Sequence, residues 1–185
     1  GPLRAAAAHS RDFCAARRRA FVADGQAYNW SIQRGYFPDF VPIVEELRLP
    51  EALAVRFVFP HAPLRPVTVN AGYVMRAWYD IKSFTPEGRA DAAGLAESVA
   101  RVNGYLQTEM ARGVAASRIV LAGFSQGCAM ALLTGLRHGE RRAGIVGMSG
   151  YLPLAASTAG ERSDANALTP IFMGHGQQDA MVDIE

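Results

Sequence analysis

The chain has 185 residues, enough for one domain with a core of its own and too short for two full ones. Half of the residues are hydrophobic and 19% are charged, which excludes a disordered chain. The net charge of +2, with every basic residue except Lys82 an arginine, leaves no field strong enough to recruit nucleic acid.

No apolar run approaches the ~20 residues of a membrane span. No basic-then-apolar signal pattern follows Gly1-Pro2-Leu3. Two cysteines, Cys14 and Cys128, do not make a disulfide framework, so a reducing cytoplasm is the expected location. Cys128 falls in an apolar helical run and reads as a buried thiol.

Charge is uneven along the chain. Residues 1–37 carry +4 and residues 38–185 carry −2. The expected organisation is an atypical Arg/Ala-rich leader over 1–37 and a partial α/β domain over 38–185. Residues 3–23 read as a helix by propensity, with no clear apolar stripe to face a core. Residues 40–49 read as a short amphipathic helix with Val41, Val44 and Leu47 on one side, stopped by Pro50. Residues 55–60 are a short strand. Residues 60–72, with Pro60, Pro63, Pro66 and Gly72, read as a surface loop.

Residues 87–112 give the longest helical signal. Leu95, Val99, Val102, Leu106 and Met110 recur at spacings of four and three, and Gly113 can close the helix. An unbroken apolar strand follows at 119–122, then a helical run through Leu136. Further strands are expected at 144–148 and 171–173. Apolar strands of this kind, separated by helices, predict an α/β fold: a mostly parallel sheet covered on both faces.

The chemistry gathers in Gly123-Phe124-Ser125-Gln126-Gly127. The pattern G-x-S-x-G is weak by composition, but here an apolar strand enters it and an apolar helix leaves it. Such a turn strains the central residue and lifts its hydroxyl above the sheet edge. Side chains at the flanking glycines would collide with the strand or helix. The N–H of Gln126 opens the next helix, where an oxyanion would form. The alternative is an ordinary strand-to-helix turn with a capping serine.

A serine hydroxyl needs a general base, usually His, oriented by a carboxylate. In α/β-hydrolases the order along the chain is Ser, then Asp or Glu, then His. Asp179, in the loop after the strand at 171–173, is the expected acid. Asp183 and Asp80 are rivals. The histidines are His9, His61, His138 and His175, and none follows Asp179. His175 stands between two glycines and reads as a residue that shapes the strand end. Tyr73, Trp78 and Tyr79 are candidates to line an apolar pocket, with ordinary packing under a loop as the alternative.

Four segments in order resemble the phospholipase/carboxylesterase family, the small serine esterases that include acyl-protein thioesterases. They are residues 57–63 (FVFPHAP), 76–80 (RAWYD), 123–127 (GFSQG) and 174–179 (GHGQQD). The resemblance covers roughly residues 38–184. It implies an α/β-hydrolase fold, Ser125 as nucleophile, Asp179 as triad acid and the Gln126 N–H as an oxyanion donor. Trp78 and Met75 become substrate-contact candidates. It further implies a small ester or thioester substrate and neither cofactor nor metal.

Two departures from the family pattern shape the expectations. No His-Gly pair occurs at 28–37, and the apolar strand that should precede it is not seen in 1–37. No catalytic His follows the acid. The domain is therefore expected to be incomplete at both ends, to be impaired in activity, and to self-associate through an uncovered sheet edge. A hydrolase-fold protein that binds an acyl ligand or a partner without catalysis is the alternative function.

Overall fold

The computed structural model describes residues 19–23 (backbone only), 44, 46–50, 53–83, 91–179 and 181–182. Its strands are β1 Arg19–Ala23, β2 Val55–Val58, β3 Leu64–Val67, β4 Tyr73–Arg76, β5 Ile119–Phe124, β6 Gly144–Met148 and β7 Ile171–Gly174. Its helices are α1 Ala92–Ala111, α2 Gln126–Arg137 and α3 Ala155–Glu161. Five strands form one parallel sheet in the order β2–β1–β5–β6–β7. β3 and β4 make a separate antiparallel hairpin. The helix expected at 40–49 lies mostly outside the described residues.

β5 is the central strand, and its sequence Ile-Val-Leu-Ala-Gly-Phe suits burial on two faces. α2 packs on β5 and β6, and α1 packs on α2. The predicted stripe of α1 does what its spacing implies. Leu95, Val102 and Leu106 are buried, and Val99 and Met110 pack against the same core. α2 is buried along nearly its whole length, from Gln126 to Gly135.

Two expectations fail here, each for a physical reason. Arg19–Ala23 is a strand and not part of a helix. It pairs with β2 from Arg19↔Val55 and with β5 from Ala20↔Ile119. Backbone ladders on both sides outweigh the helix preference of an Ala/Arg-rich segment. The strand expected to be missing from residues 1–37 is therefore present in the sheet.

Residues 60–72 are not simply a loop, because β3 lies inside them. Pro66 is tolerated because both strands of a two-stranded sheet are edges. A turn of 3-10 helix at Thr68–Asn70 reverses the chain, and Asp80 holds it by accepting from Thr68 N (2.7 Å) and Thr68 Oγ1 (2.6 Å). α3 is an element for which sequence reading raised no expectation, because no apolar periodicity announces it in Ala-Ala-Ser-Thr-Ala-Gly-Glu. Arg137 fixes it from α2, donating to Glu161 Oε2 (2.7 Å) and Thr158 Oγ1 (3.0 Å).

Two charged clusters tie these layers together. Glu109 on α1 is buried and bonds Arg56 Nε of β2 at 3.1 Å. At the amino-terminal edge of the sheet, Arg142 is only 1% exposed. Its N–H donates to Asn166 Oδ1 (2.9 Å) and its Nη2 to His138 Nδ1 (2.6 Å). Asn166 Nδ2 donates in turn to the carbonyls of His138 (2.7 Å) and Glu140 (3.1 Å). Thr169 Oγ1 completes the group at 2.8 Å from Asn166 Oδ1. The end of α2, the start of β6 and the turn before β7 are thus pinned at one point. Burial, and then the adjacent Arg142 guanidinium, push the His138 pKa down.

Two tests follow from these clusters. The folded state takes up the His138 proton at a lower pH than the unfolded chain, which does so near the ordinary histidine value. Stability should fall as pH drops below that value, levelling off below the folded pKa. Urea midpoints at pH 7.5 and pH 5 should differ less for His138→Gln than for the parent chain, and an equal difference would remove His138 as the cause. Glu109→Gln should destabilise by about 1–3 kcal/mol, because it turns a buried charge-assisted hydrogen bond to Arg56 into a neutral one. A loss within error of zero in urea unfolding would show that the charge of Glu109 contributes nothing to the fold.

Candidate active site

β5 ends at Phe124 and α2 starts at Gln126, so Ser125 alone makes the turn. Its backbone sits at φ 55°, ψ −117°, a region that L-residues other than glycine rarely enter. The turn is this tight because strand and helix nearly touch. A Cβ on Gly123 would lie 2.0 Å from the carbonyl carbon of Gly127 and 2.1 Å from its oxygen. Both atoms are backbone and cannot yield. Gly150 closes the other side, where a Cβ would lie 2.5 Å from Cys128 Cβ and 2.8 Å from Ser125 O.

The neighbouring strand ends share one row. Phe124 pairs with Met148, and Met148 pairs with Gly174. Ser125, Ser149 and His175 are therefore the first residues beyond β5, β6 and β7 at the carboxyl edge. Ser125 N donates to Met148 O (2.9 Å), and Ser149 N donates to Gly174 O (2.8 Å). Ser149 also has a positive φ, at 44°. The serine's position is thus fixed from the sheet side by backbone bonds alone.

Asp179 lies in the loop that leaves β7 at this same edge. Its Oδ1 accepts from Met181 N (2.9 Å) and Val182 N (3.1 Å). These two backbone bonds, with help from His175 and the Ser149 hydroxyl, hold its pKa below the usual carboxylate value. His175 Nε2 donates to Val182 O (2.8 Å) and lies 3.5 Å from Asp179 Oδ2. Asp80 instead belongs to the hairpin base, and Asp183 lies outside the described residues.

Gln126 opens α2, so its N–H stands outside the helical ladder, whose first bond runs from Ala129 N to Ser125 O. Sequence reading singled out that N–H and missed the side chain. Gln126 is 2% exposed. Its Oε1 accepts from Trp78 N (2.9 Å), and its Nε2 donates to Tyr79 O (3.0 Å). Ser98 Oγ donates to Trp78 O from α1. A glutamine between Ser125 and Gly127, at the start of an otherwise apolar helical run, was the available signal.

The pocket candidates separate. Trp78 and Tyr79 are buried, and Trp78 lines an apolar cavity with Pro60, Leu121, Gly127 and Met130. Tyr73 is exposed on the hairpin. Met75 lies on β4, where its Sδ accepts from Asn70 Nδ2 (3.1 Å). Cys128 is buried, and burial pushes its thiol up to about 11, so it is packing and not a nucleophile. Cys14 lies outside the described residues. No group of three or more His, Cys, Asp or Glu able to hold a metal occurs among the described residues. No described helix is long and apolar enough to cross a membrane.

Comparison with known proteins agrees with this geometry. The acyl-protein thioesterase 1 of Yarrowia lipolytica is 42% identical over 142 residues, which make up 76% of this chain and 63% of that protein. The acyl-protein thioesterase 1 of Schizosaccharomyces pombe is 41% identical over 128 residues, 69% of this chain and 57% of that protein. The chain thus spans less than two thirds of the length of these curated relatives. Among solved structures, Arabidopsis thaliana SOBER1 matches with a TM-score of 0.79 at 28% identity, over 91% of this chain and 78% of that one. The family model described as Phospholipase/Carboxylesterase matches residues 48–185. With a parallel sheet, a strand–serine–helix turn and these relatives in hand, the chain is a member of the phospholipase/carboxylesterase family with the α/β-hydrolase fold.

Proposed function

We propose that this chain is a serine hydrolase that cleaves carboxylic esters or thioesters through an acyl-enzyme on Ser125. The observation that carries the reading is the strained backbone of Ser125 on a turn between a central strand and a buried helix. The relatives named acyl-protein thioesterases favour a thioester among the substrates.

The chemistry follows from the parts. An imidazole takes the Ser125 proton as Oγ attacks the acyl carbon. The carbonyl oxygen becomes an oxyanion facing the Gln126 N–H. The tetrahedral species collapses, the leaving alcohol or thiol departs with the proton, and water repeats the cycle on the acyl-enzyme. Asp179 holds the imidazolium and stays ionised, in keeping with its lowered pKa. No step requires a metal or an organic cofactor.

His138 is a poor base for this work, since it follows the far end of α2, about 18 Å away along a 12-residue helix, and is tied to Arg142. His175 and His61 both follow strands of the parallel sheet on the carboxyl side. The bond from His175 Nε2 to Val182 O favours a second reading, in which the protein binds an acyl group without turning it over. The first reading also includes a cytoplasmic location. It includes self-association through β7, one of the two outermost strands of the parallel sheet among the described residues, where Phe172 is 63% exposed.

Hydrolysis of p-nitrophenyl acetate separates the two readings. Turnover above buffer that Ser125→Ala abolishes supports catalysis, and Asp179→Asn should then cost on the order of 10⁴-fold. His175→Ala and His61→Ala identify the base. Turnover equal to buffer, and unchanged by Ser125→Ala, leaves acyl binding without catalysis. Gly123→Ala should abolish turnover even if the protein is recovered folded, because its Cβ meets only backbone. Retained turnover in that variant would show that the turn has slack. A particle mass of one chain in light scattering would exclude the dimer.

A further inference from the structure

The side chain of Gln126 does something that the proposed mechanism does not require of it. Only its backbone N–H is asked to meet an oxyanion. Yet the carboxamide is almost wholly buried and uses both ends on one stretch of backbone, Trp78 N at 2.9 Å and Tyr79 O at 3.0 Å. A primary amide is the side-chain group that can accept from one backbone unit and donate to the next in this way. Ser98 satisfies Trp78 O from the opposite side. The segment at 78–79 is therefore an irregular backbone buried in the core, and its polar groups are met by side chains.

The connection runs further. The Tyr79 hydroxyl lies 2.9 Å from the Tyr151 hydroxyl, and Tyr151 follows Ser149 and Gly150 at the end of β6. On one side, then, the Ser125 turn is tied to β6 through Ser125 N and Met148 O. On the other side it is tied to the 78–79 segment through Gln126, and that segment returns to the β6 loop through the tyrosine pair. A backbone at φ 55° relaxes unless its surroundings over-determine it.

We propose that the Gln126 carboxamide is a positioning residue: by clamping the backbone of Trp78 and Tyr79 it holds the first turn of α2, and with it the strained Ser125 and the Gln126 N–H, in the geometry for attack. The inference rests on the reading of Ser125 as nucleophile, but the clamp itself can be tested without it.

The informative variants are Gln126→Met and Gln126→Glu. The methionine keeps the volume and removes both hydrogen bonds. The glutamate makes both bonds only when protonated, since an ionised carboxylate still accepts from Trp78 N but cannot donate to Tyr79 O. Burial raises the pKa of such a carboxyl, which brings the transition into an accessible range. Two readouts are taken across pH on the parent and both variants: amide hydrogen exchange at Trp78, and the rate of labelling at Ser125 by a fluorophosphonate.

In Gln126→Met, Trp78 exchange should rise at least about tenfold and labelling should fall by a similar factor at every pH. In Gln126→Glu, labelling relative to the parent should return toward unity as pH falls through the pKa of the new carboxyl, while Trp78 exchange stays near the parent's, since either form of the carboxyl accepts from Trp78 N. A residue that served only to fill space would leave both readouts unchanged in Gln126→Met, which keeps the volume. Exchange at Trp78 unchanged in Gln126→Met would overturn the clamp. Altered exchange with labelling unchanged would overturn its control over Ser125. A parent chain that resists labelling would instead sink the hydrolase reading, while the exchange data decide the clamp alone.

Discussion

The carboxyl edge of this protein depends on one constraint, the near-contact between the end of β5 and the start of α2. Gly123 and Gly127 approach so closely that no side chain fits at Gly123. The one residue left to make the turn, Ser125, takes a backbone conformation that costs free energy. That cost is local, whereas its support is distributed. α2 is buried from Gln126 to Gly135 and lies against two strands, so the helix cannot back away to relieve the turn.

The parallel sheet then brings further strand ends to the edge where the strained residue stands. Because the strands run the same way, the residues after β5, β6 and β7 leave at the same edge and in register. Ser125, Ser149 and the His175–Asp179 loop thus share one edge although up to 54 positions separate them in the chain. Backbone bonds between successive strand ends do this placing, so it does not rely on any exposed side-chain contact. Asp179 is ionised by the same economy of means, since two backbone N–H groups of its own loop stabilise the carboxylate.

The opposite edge serves stability instead. Arg142, His138, Asn166 and Thr169 form a buried polar knot where α2 returns to β6 and the chain enters β7. Such a knot holds only while its members keep their partners, because an unmet buried polar group is costly. It anchors the far end of the helix whose near end carries the serine turn. Strain at one end of α2 and a polar lock at the other are parts of one rigid element.

The sequence by itself determined the elements whose signal is periodic or punctuated. The α1 stripe from Leu95 to Met110, the apolar run of β5 and the G-x-S-x-G turn were readable because each encodes its own burial or its own sterics. Ser125 and the helix start at Gln126 followed from that pattern, and Asp179 could be placed on the same edge from chain order. Tertiary structure decided the rest. Arg19–Ala23 is a strand because β2 and β5 flank it, and its strand-favouring pair Phe21-Val22 is too short a signal within an Ala/Arg-rich segment to say so alone. Pro66 sits in a strand because a two-stranded hairpin leaves its missing N–H unasked for. The Gln126 clamp joins residues nearly fifty positions apart through two directional bonds. Hydropathy, which records only how much a residue avoids water, carries no information about which backbone a buried amide will meet.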